Sequence, residues 1–275
     1  MSATTPRDAA ALTVVIPVKD DARHLERCLA ALSRQSLPPH EVVVVDNASS
    51  DDSAAVARRA GARVLDEPSP GIPAAASTGY DAVAAGIIVR CDADTVPPED
   101  WLQRVHEAFA GDPGLTALTG TGHFYDLPPV RGRIARLVYM RCYYWGMRAA
   151  TGNVPLWGST MAIRVDAWQE VRYLVHRHDP HVHDDTDLSF QLGSAARVRY
   201  DPRLVVGVSG RTFESRQALA RRFRWAWHTL AVNWAISPPW ERWAARIVAR
   251  RARAPRVGTG SSDEPTRGRP PATEP

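Results

Sequence analysis

Hydrophobic residues follow two alternating rhythms along the first half of the chain. Mostly apolar runs at 12–18 (Leu-Thr-Val-Val-Ile-Pro-Val), 41–45, 62–65, 86–91 and 115–119 have the length of strands, and the four consecutive valines of 42–45 suit a parallel strand covered on both faces. Between them, apolar residues three and four apart predict helices. Leu25, Cys28, Leu29 and Leu32 mark the first, with Asp20 or Asp21 as its cap. Residues 49–60 and the alanine-rich stretch 74–85 give two more. Trp101, Leu102, Val105 and Phe109, entered through Pro97 and Pro98, give a fourth. Strands alternating with helices predict an α/β fold: a doubly wound, mostly parallel sheet with flanking helices and right-handed crossovers. In such sheets ligands bind beyond the carboxyl ends of the strands. The turn at 17–21, Asp46 and the pair Asp92 and Asp94 therefore converge on one crevice.

The second half is less regular. Residues 131–148 mix arginines with Leu137, Val138, Tyr139, Tyr143, Tyr144 and Trp145. This pattern suits either an amphipathic helix at a membrane surface or a core helix with arginine edges. Residues 156–163 pass through Gly158 into a strand. Asp184 or Asp185 caps a helix bearing Leu188 and Leu192, one or two short strands follow over 198–208, and 213–236 reads as a long helix rich in Arg and Trp. The expected organisation is an extension over 1–11, a main domain over 12–210, a basic amphipathic helical segment over 211–250 and a disordered tail over 251–275.

Charge sharpens this picture. The net charge is +4, but from Arg211 to Arg256 eleven arginines meet only two acids, Glu214 and Glu241. That block predicts an anionic partner such as phosphate or an acidic membrane face. No nucleic-acid module is recognisable, so nucleic acid is not expected as a partner. No run reaches eighteen apolar residues and no apolar segment follows a basic start, so neither a spanning helix nor a secretory signal is expected. Cys28, Cys91 and Cys142 lack pairing or metal spacing and read as reduced, buried thiols. The expected location is cytoplasmic, with peripheral contact at the inner face of the plasma membrane.

Two acidic clusters carry the candidate chemistry. Asp92 and Asp94 follow an apolar run. Residues one apart on an extended chain point opposite ways, so both face one ion only if the chain turns there. Such a pair suits a hard divalent cation, manganese or magnesium, with sites left for a diphosphate. Taken alone, an Asp-x-Asp is more often a solvated turn, because Asp is common in turns. The second cluster, Asp184, Asp185 and Asp187, can cap a helix, supply a general base, or do both.

Four segments stand in order: Val15-Ile16-Pro17-Val18-Lys19-Asp20-Asp21, Val44-Val45-Asp46-Asn47-Ala48-Ser49-Ser50-Asp51, Cys91-Asp92-Ala93-Asp94-Thr95 and His183-Asp184-Asp185-Thr186-Asp187-Leu188. Gly158-Ser159-Thr160-Met161-Ala162-Ile163-Arg164 precedes the last. Over roughly 12–235 this arrangement resembles family 2 glycosyltransferases of the GT-A fold. The resemblance implies a nucleotide-sugar donor held at Pro17, Val18, Asp46 and Asn47, the last where many relatives carry a second aspartate. It implies Asp92 on the ribose and, with Asp94, on a metal at the diphosphate. Asp185 is implied as catalytic base, with Asp184 its substrate-binding neighbour and Asp187 a support. Arg224 and Trp225 partly resemble a Gln-x-x-Arg-Trp motif and would contact the diphosphate or acceptor. Arg221 replaces the glutamine, Lys19 stands for an aromatic and Ala76 for an arginine.

The chemistry is consistent by itself. A cation neutralises charge on a departing nucleoside diphosphate, while a separate carboxylate takes the proton of an attacking hydroxyl. Attack opposite the leaving group inverts the anomeric centre. The expected activity is single-sugar transfer to a hydroxyl acceptor on a lipid-linked or cell-envelope glycan. A nucleotidyltransferase is the alternative enzyme, although Lys19 lacks a glycine-rich loop, and a non-catalytic sugar-nucleotide binder is the other. His183 is an additional candidate ligand for the donor metal. His176, His178, His181 and His183 together raise a separate zinc site.

Overall fold

The computed structural model describes residues 11–213 and 215–253. Strand β1 (Leu12–Val18) is buried along its whole length because it is central and covered on both sides. Val14, Ile16 and Val18 pack on one face with Leu25, Cys28 and Leu29 of α1 (Ala22–Leu32). Val15 points the other way, toward Ala75, Ala76 and Tyr80 of α3 (Ile72–Asp81). Each such fully buried valine stabilises the fold by about 1.5–3 kcal/mol. Helix α3 lies so close to the sheet that a Cβ on Gly79 would fall 2.4 Å from Val15 Cγ1.

The sheet has seven strands in the order β3-β2-β1-β4-β6-β5-β7. β2 (Glu41–Asp46), β3 (Arg63–Asp66) and β4 (Ile87–Arg90) run parallel to β1 or to each other. α2 (Ser53–Arg59) links β2 to β3, α3 carries the chain to the far side of β1, and α4 (Trp101–Ala110) precedes β5 (Ala117–Phe124). The sheet thus switches direction of growth between β1 and β4, where a doubly wound sheet opens a crevice. β6 (Met161–Arg164) is antiparallel to both β4 and β5, and β7 (Val198–Val208) runs parallel to β5. The start of β6 and the end of β7 therefore reach the same sheet edge as the ends of β1 and β4.

The expected elements are present with shifted bounds. The second helix begins at Ser53, not 49, because Ser49 and Ser50 belong to a loop interlocked with the turn after β1: Asp20 Oδ1 accepts from Ser50 N, and Asp51 accepts from both Ala22 N and Ser53 N. Asp21 is the N-cap of α1, but its side chain makes no capping bond, since Asp51 serves that role from the neighbouring loop. α6 (Val165–Val171) is additional; seven residues give too short a period to read. Of the one or two short strands expected over 198–208 there is one, β7, eleven residues long. The long helix α5 (Pro129–Thr151) turns Tyr139, Tyr143 and Tyr144 toward the core and leaves Cys142 exposed, contrary to the buried thiol expected there. α8 (Arg216–Ile236) starts after Phe213, capped by Ser215 Oγ. α9 (Pro239–Arg253) continues through 251–253, where the tail was expected to begin. Residues 1–10 and the rest of the tail lie outside the described residues.

Candidate active site

β4 ends on Arg90, which is only 2% exposed although it carries a charge. Its Nη2 lies 2.9 Å from Asp92 Oδ1 and 3.4 Å from Asp184 Oδ2. One buried guanidinium thus ties the first acidic cluster to the second. Room for it is made at Gly158, where a Cβ would sit 1.3 Å from Arg90 Nη1. The same glycine donates its N–H to Asp185 Oδ2 at 2.8 Å, and Ser159 Oγ donates to Asp92 Oδ2 at 2.6 Å. The segment before β6 therefore bridges both clusters, because β6 is antiparallel and delivers its start to this edge.

Asp92 and Asp94 are separated by a turn in which Thr95 N donates to Asp92 O and Thr95 Oγ1 accepts from Asp92 N. The turn needed to bring both carboxylates to one side is present. Burial, then repulsion from Asp92, pushes the Asp94 carboxyl up to about 6, against the pull of Arg211. Arg211 bridges Asp94 Oδ2 at 3.1 Å and Asp21 Oδ2 at 2.7 Å, and Asp21 Oδ1 meets His24 Nδ1 at 2.6 Å. Arg211 stands in a 3-10 turn (Gly210–Phe213) directly after β7. Two neighbouring carboxylates, one held reluctantly ionised, fit a divalent cation, which would add positive charge to that of Arg211 at Asp94 and Arg90 at Asp92. Among the described residues no group of three or more His, Cys, Asp or Glu forms a metal-binding cluster. Two carboxylates suffice for a magnesium-like ion that keeps waters and phosphate oxygens as its other ligands.

The raised Asp94 carboxyl has a consequence for stability. Its folded value lies above the ordinary 3.8, so the folded state binds this proton more tightly than the unfolded chain does. The resulting cost is absent below about pH 4, grows as the group ionises and is complete above about pH 6. Asp94→Asn is expected to be more stable than wild type at pH 7, by on the order of 2 kcal/mol, with the difference vanishing toward pH 4. Thermal melts of both proteins across this range, without added metal, measure it.

Asp184 and Asp185 are the first residues of α7 (Asp184–Gln191), and His183, not either aspartate, occupies the N-cap. Their charges still favour the positive end of the helix dipole. Asp185 Oδ1 accepts from Thr186 N at 2.6 Å, so its carboxylate is held by two backbone N–H groups. Asp184 is pushed up to about 7 by burial, with Arg90 pulling the other way and Asp185 and Asp92 adding repulsion. Arg90 Nε and Asp184 Oδ2 are buried without hydrogen-bond partners, an unfinished network beneath the site. Asp187 is buried and holds His176 N, His176 Nδ1 and Asn233 Nδ2, which anchors α7 to its surroundings.

At the nucleotide end, Pro17 and Val18 close β1, with Val18 O accepting from Asn47 N. Asp46 is buried at the end of β2, where Oδ1 accepts from Ser49 N at 3.3 Å. The Asn47 amide is spent on the loop after β3, donating to Glu67 O and Ser69 O and accepting from Gly71 N. Lys19 Nζ donates to Asn47 O and Ala48 O, so it braces the loop. On α8, Trp225 packs beside His183 and His181, while Arg224 is exposed. Arg222 makes the closer connection: its charge acts on Asp94, and its carbonyl lies 3.3 Å from His183 Nε2. His181 of this loop and His228 of α8 both pair with Asp179, while His176 pairs with Asp187. Arg90, Arg211 and Arg222 escaped sequence reasoning. For Arg90 the signal was present: a lone charge inside an apolar run demands a buried partner.

The description "Glycosyl transferase family 2" belongs to a family model that matches residues 13–171, from β1 through α6. The chain belongs to that family. Glycosyltransferase AglE of Haloferax volcanii is 30% identical over 119 residues, 40% of this chain and 36% of that protein. An uncharacterised glycosyltransferase of Mycobacterium tuberculosis is 40% identical over 84 residues, 30% of this chain and 37% of the relative. The matches thus span little more than a third of these relatives' lengths. Among solved structures, a mannosyltransferase from Pyrobaculum calidifontis in complex with GDP-Man and Mn2+ superposes with a TM-score of 0.58 at 20% identity, covering 88% of this chain and 74% of that one. Glucosyl-3-phosphoglycerate synthase from M. tuberculosis in complex with UDP gives 0.57 at 17% identity, with 85% of each chain covered. The family 2 chain shares their GT-A fold.

Proposed function

We propose that this family 2 chain is an inverting, metal-dependent glycosyltransferase that moves one sugar from a nucleotide-sugar to an acceptor hydroxyl. The observation that carries this reading is the joining of Asp92 to Asp184 through Arg90, and to Asp185 through Ser159 and Gly158, at the β1/β4 switch point. Donor-side and acceptor-side carboxylates are thereby fixed relative to one another. Pro17, Val18, Asp46 and Asn47 line the nucleotide end. Asp92 and Asp94 would hold manganese or magnesium, which would supply positive charge to the diphosphate leaving group. Asp185 removes the proton of the acceptor hydroxyl as its oxygen bonds to the anomeric carbon, and the electrons of the breaking C–O bond leave with the diphosphate. Arg211 and Arg222, beside Asp94, add positive charge where the diphosphate departs. Trp225 walls the acceptor side, with Arg224 at its rim. Such ligands occur on the same fold: glucosyl-3-phosphoglycerate synthase from M. tuberculosis has been solved in complex with Mn2+, UDP-Glc and phosphoglyceric acid.

The acceptor is read as a lipid-linked or cell-envelope glycan, reached by peripheral contact with an anionic membrane. α5 contains five arginines and no acid, and its outer side exposes Ile134, Leu137, Val138 and Trp145. No helix among the described residues is long and apolar enough to cross a membrane. A thermal-shift panel of nucleotide-sugars, with and without manganese, tests the donor reading. One donor is expected to raise the melting temperature only with metal present, and a panel without any shift sinks the proposal.

A further inference from the structure

Strands β5 and β7 pair in parallel as far as Phe124 and Val208, so the chain leaves both strands side by side. Beyond β5 come Tyr125 and Asp126; beyond β7 come Ser209 and Gly210, then Arg211. Asp126 Oδ2 accepts from Ser209 Oγ at 2.6 Å, and Asp126 Oδ1 accepts from Gly210 N at 2.6 Å. Ser209 Oγ in turn accepts from Arg211 N at 3.3 Å. Both oxygens of one carboxylate therefore hold the root of the turn that carries Arg211. Gly210 permits the approach: a Cβ there would fall 2.9 Å from Asp126 Oδ1 and 2.6 Å from Leu127 Cγ.

Tyr125 grips the other partner of the Arg211 ion pair. Its hydroxyl donates to Asp94 O at 3.1 Å. Its ring packs against Arg27, whose Cζ lies 4.6 Å from the ring centre, and against Gly207, where a Cβ would stand 3.2 Å from the ring. Gly207 is tied to the strand-end turn of Asp94 as well, since Val96 N donates to Gly207 O and Gly207 N to Val96 O. Adjacent residues thus hold Asp94 by its peptide carbonyl and Arg211 by its turn, and the two side chains meet at 3.1 Å. A free arginine side chain loses much rotamer freedom when it is aimed, and fixing its root lowers that cost. Charge aimed before the reaction also needs no reorganisation during it.

We infer that Asp126 is a positioning residue, which presets Arg211 against the Asp94 held by Tyr125 so that the guanidinium meets the donor diphosphate. This role rests on the sugar-transfer reading of the crevice. Asp126 acts through Arg211, not by touching donor or metal.

The test is a double-mutant cycle in the full chain with Asp126→Ala and Arg211→Gln, read by calorimetric titration of inorganic pyrophosphate in the presence of manganese. Each single variant is expected to weaken binding about tenfold, and the double variant no further than Arg211→Gln, because both remove the same aimed charge. Asp126→Asn keeps an oxygen for Gly210 N and should bind within about threefold of wild type. Wild-type affinity in Asp126→Ala, or losses that multiply to about 100-fold in the double variant, overturn the role, since general damage to the fold would persist without Arg211. Urea unfolding of the same four proteins, without metal or pyrophosphate, reads the positioning apart from sugar transfer. Stability losses that fall short of the sum support it, and losses that simply add overturn it. Sub-additive unfolding in a wild type that binds no manganese pyrophosphate supports the positioning of Arg211 and sinks its diphosphate role.

Discussion

Asp185→Asn is expected to remove turnover while the donor still binds. A positioned base contributes about 10²- to 10⁴-fold, so kcat should fall by at least two orders of magnitude. The donor KM should change by less than about threefold, because Asp185 meets the donor-side Asp92 only through Gly158 and Ser159. Asparagine keeps one oxygen to accept from Gly158 N or Thr186 N, so the start of α7 stays in place. Asp184→Asn is the paired control. Asp184 sits next in the chain and is held near neutral pH by burial, so it is the rival base. Full turnover in Asp185→Asn together with loss in Asp184→Asn would move the role to Asp184.

Arg90→Met is expected to cost about 3–5 kcal/mol, because removing one partner of a buried ion pair leaves the others uncompensated. Asp92 and Asp184 would face each other across an apolar side chain. The double variant Arg90→Met, Asp184→Asn should recover part of the loss, since one of the two stranded charges is gone. Gly158→Ala reaches the same contact without altering charge, because the added Cβ must displace the guanidinium or the loop. Urea unfolding of the three proteins measures these differences. A loss below 1 kcal/mol in Arg90→Met would mean that Arg90 does not hold the two clusters together.

The strand ends that define the crevice were legible because runs such as Val42-Val43-Val44-Val45 and Ile87-Ile88-Val89 admit few positions outside a covered sheet. Asp92 and Asp94 followed from the end of such a run. What joins them to Asp185 did not follow, because it depends on β6 entering antiparallel and bringing Gly158 and Ser159 to the same edge. Periodicity carries no information on strand order. Arg211 was counted as part of a basic block, since its pairing with Asp21 and Asp94 spans 190 and 117 positions of sequence separation. The cap assignment at Asp184 missed by one residue because His183, an unusual cap, holds the position through its backbone. Asn47 illustrates the reverse: a motif position whose side chain the fold uses to fasten loops.

The measurement that tests the central claim most directly is titration of the donor found by the thermal-shift panel into wild type and Asp94→Asn, each with and without manganese. The account predicts metal-dependent binding in wild type that weakens by about 100-fold or more in Asp94→Asn, equivalent to about 2.7 kcal/mol. Equal affinity in the two proteins, or wild-type binding indifferent to manganese, would contradict it.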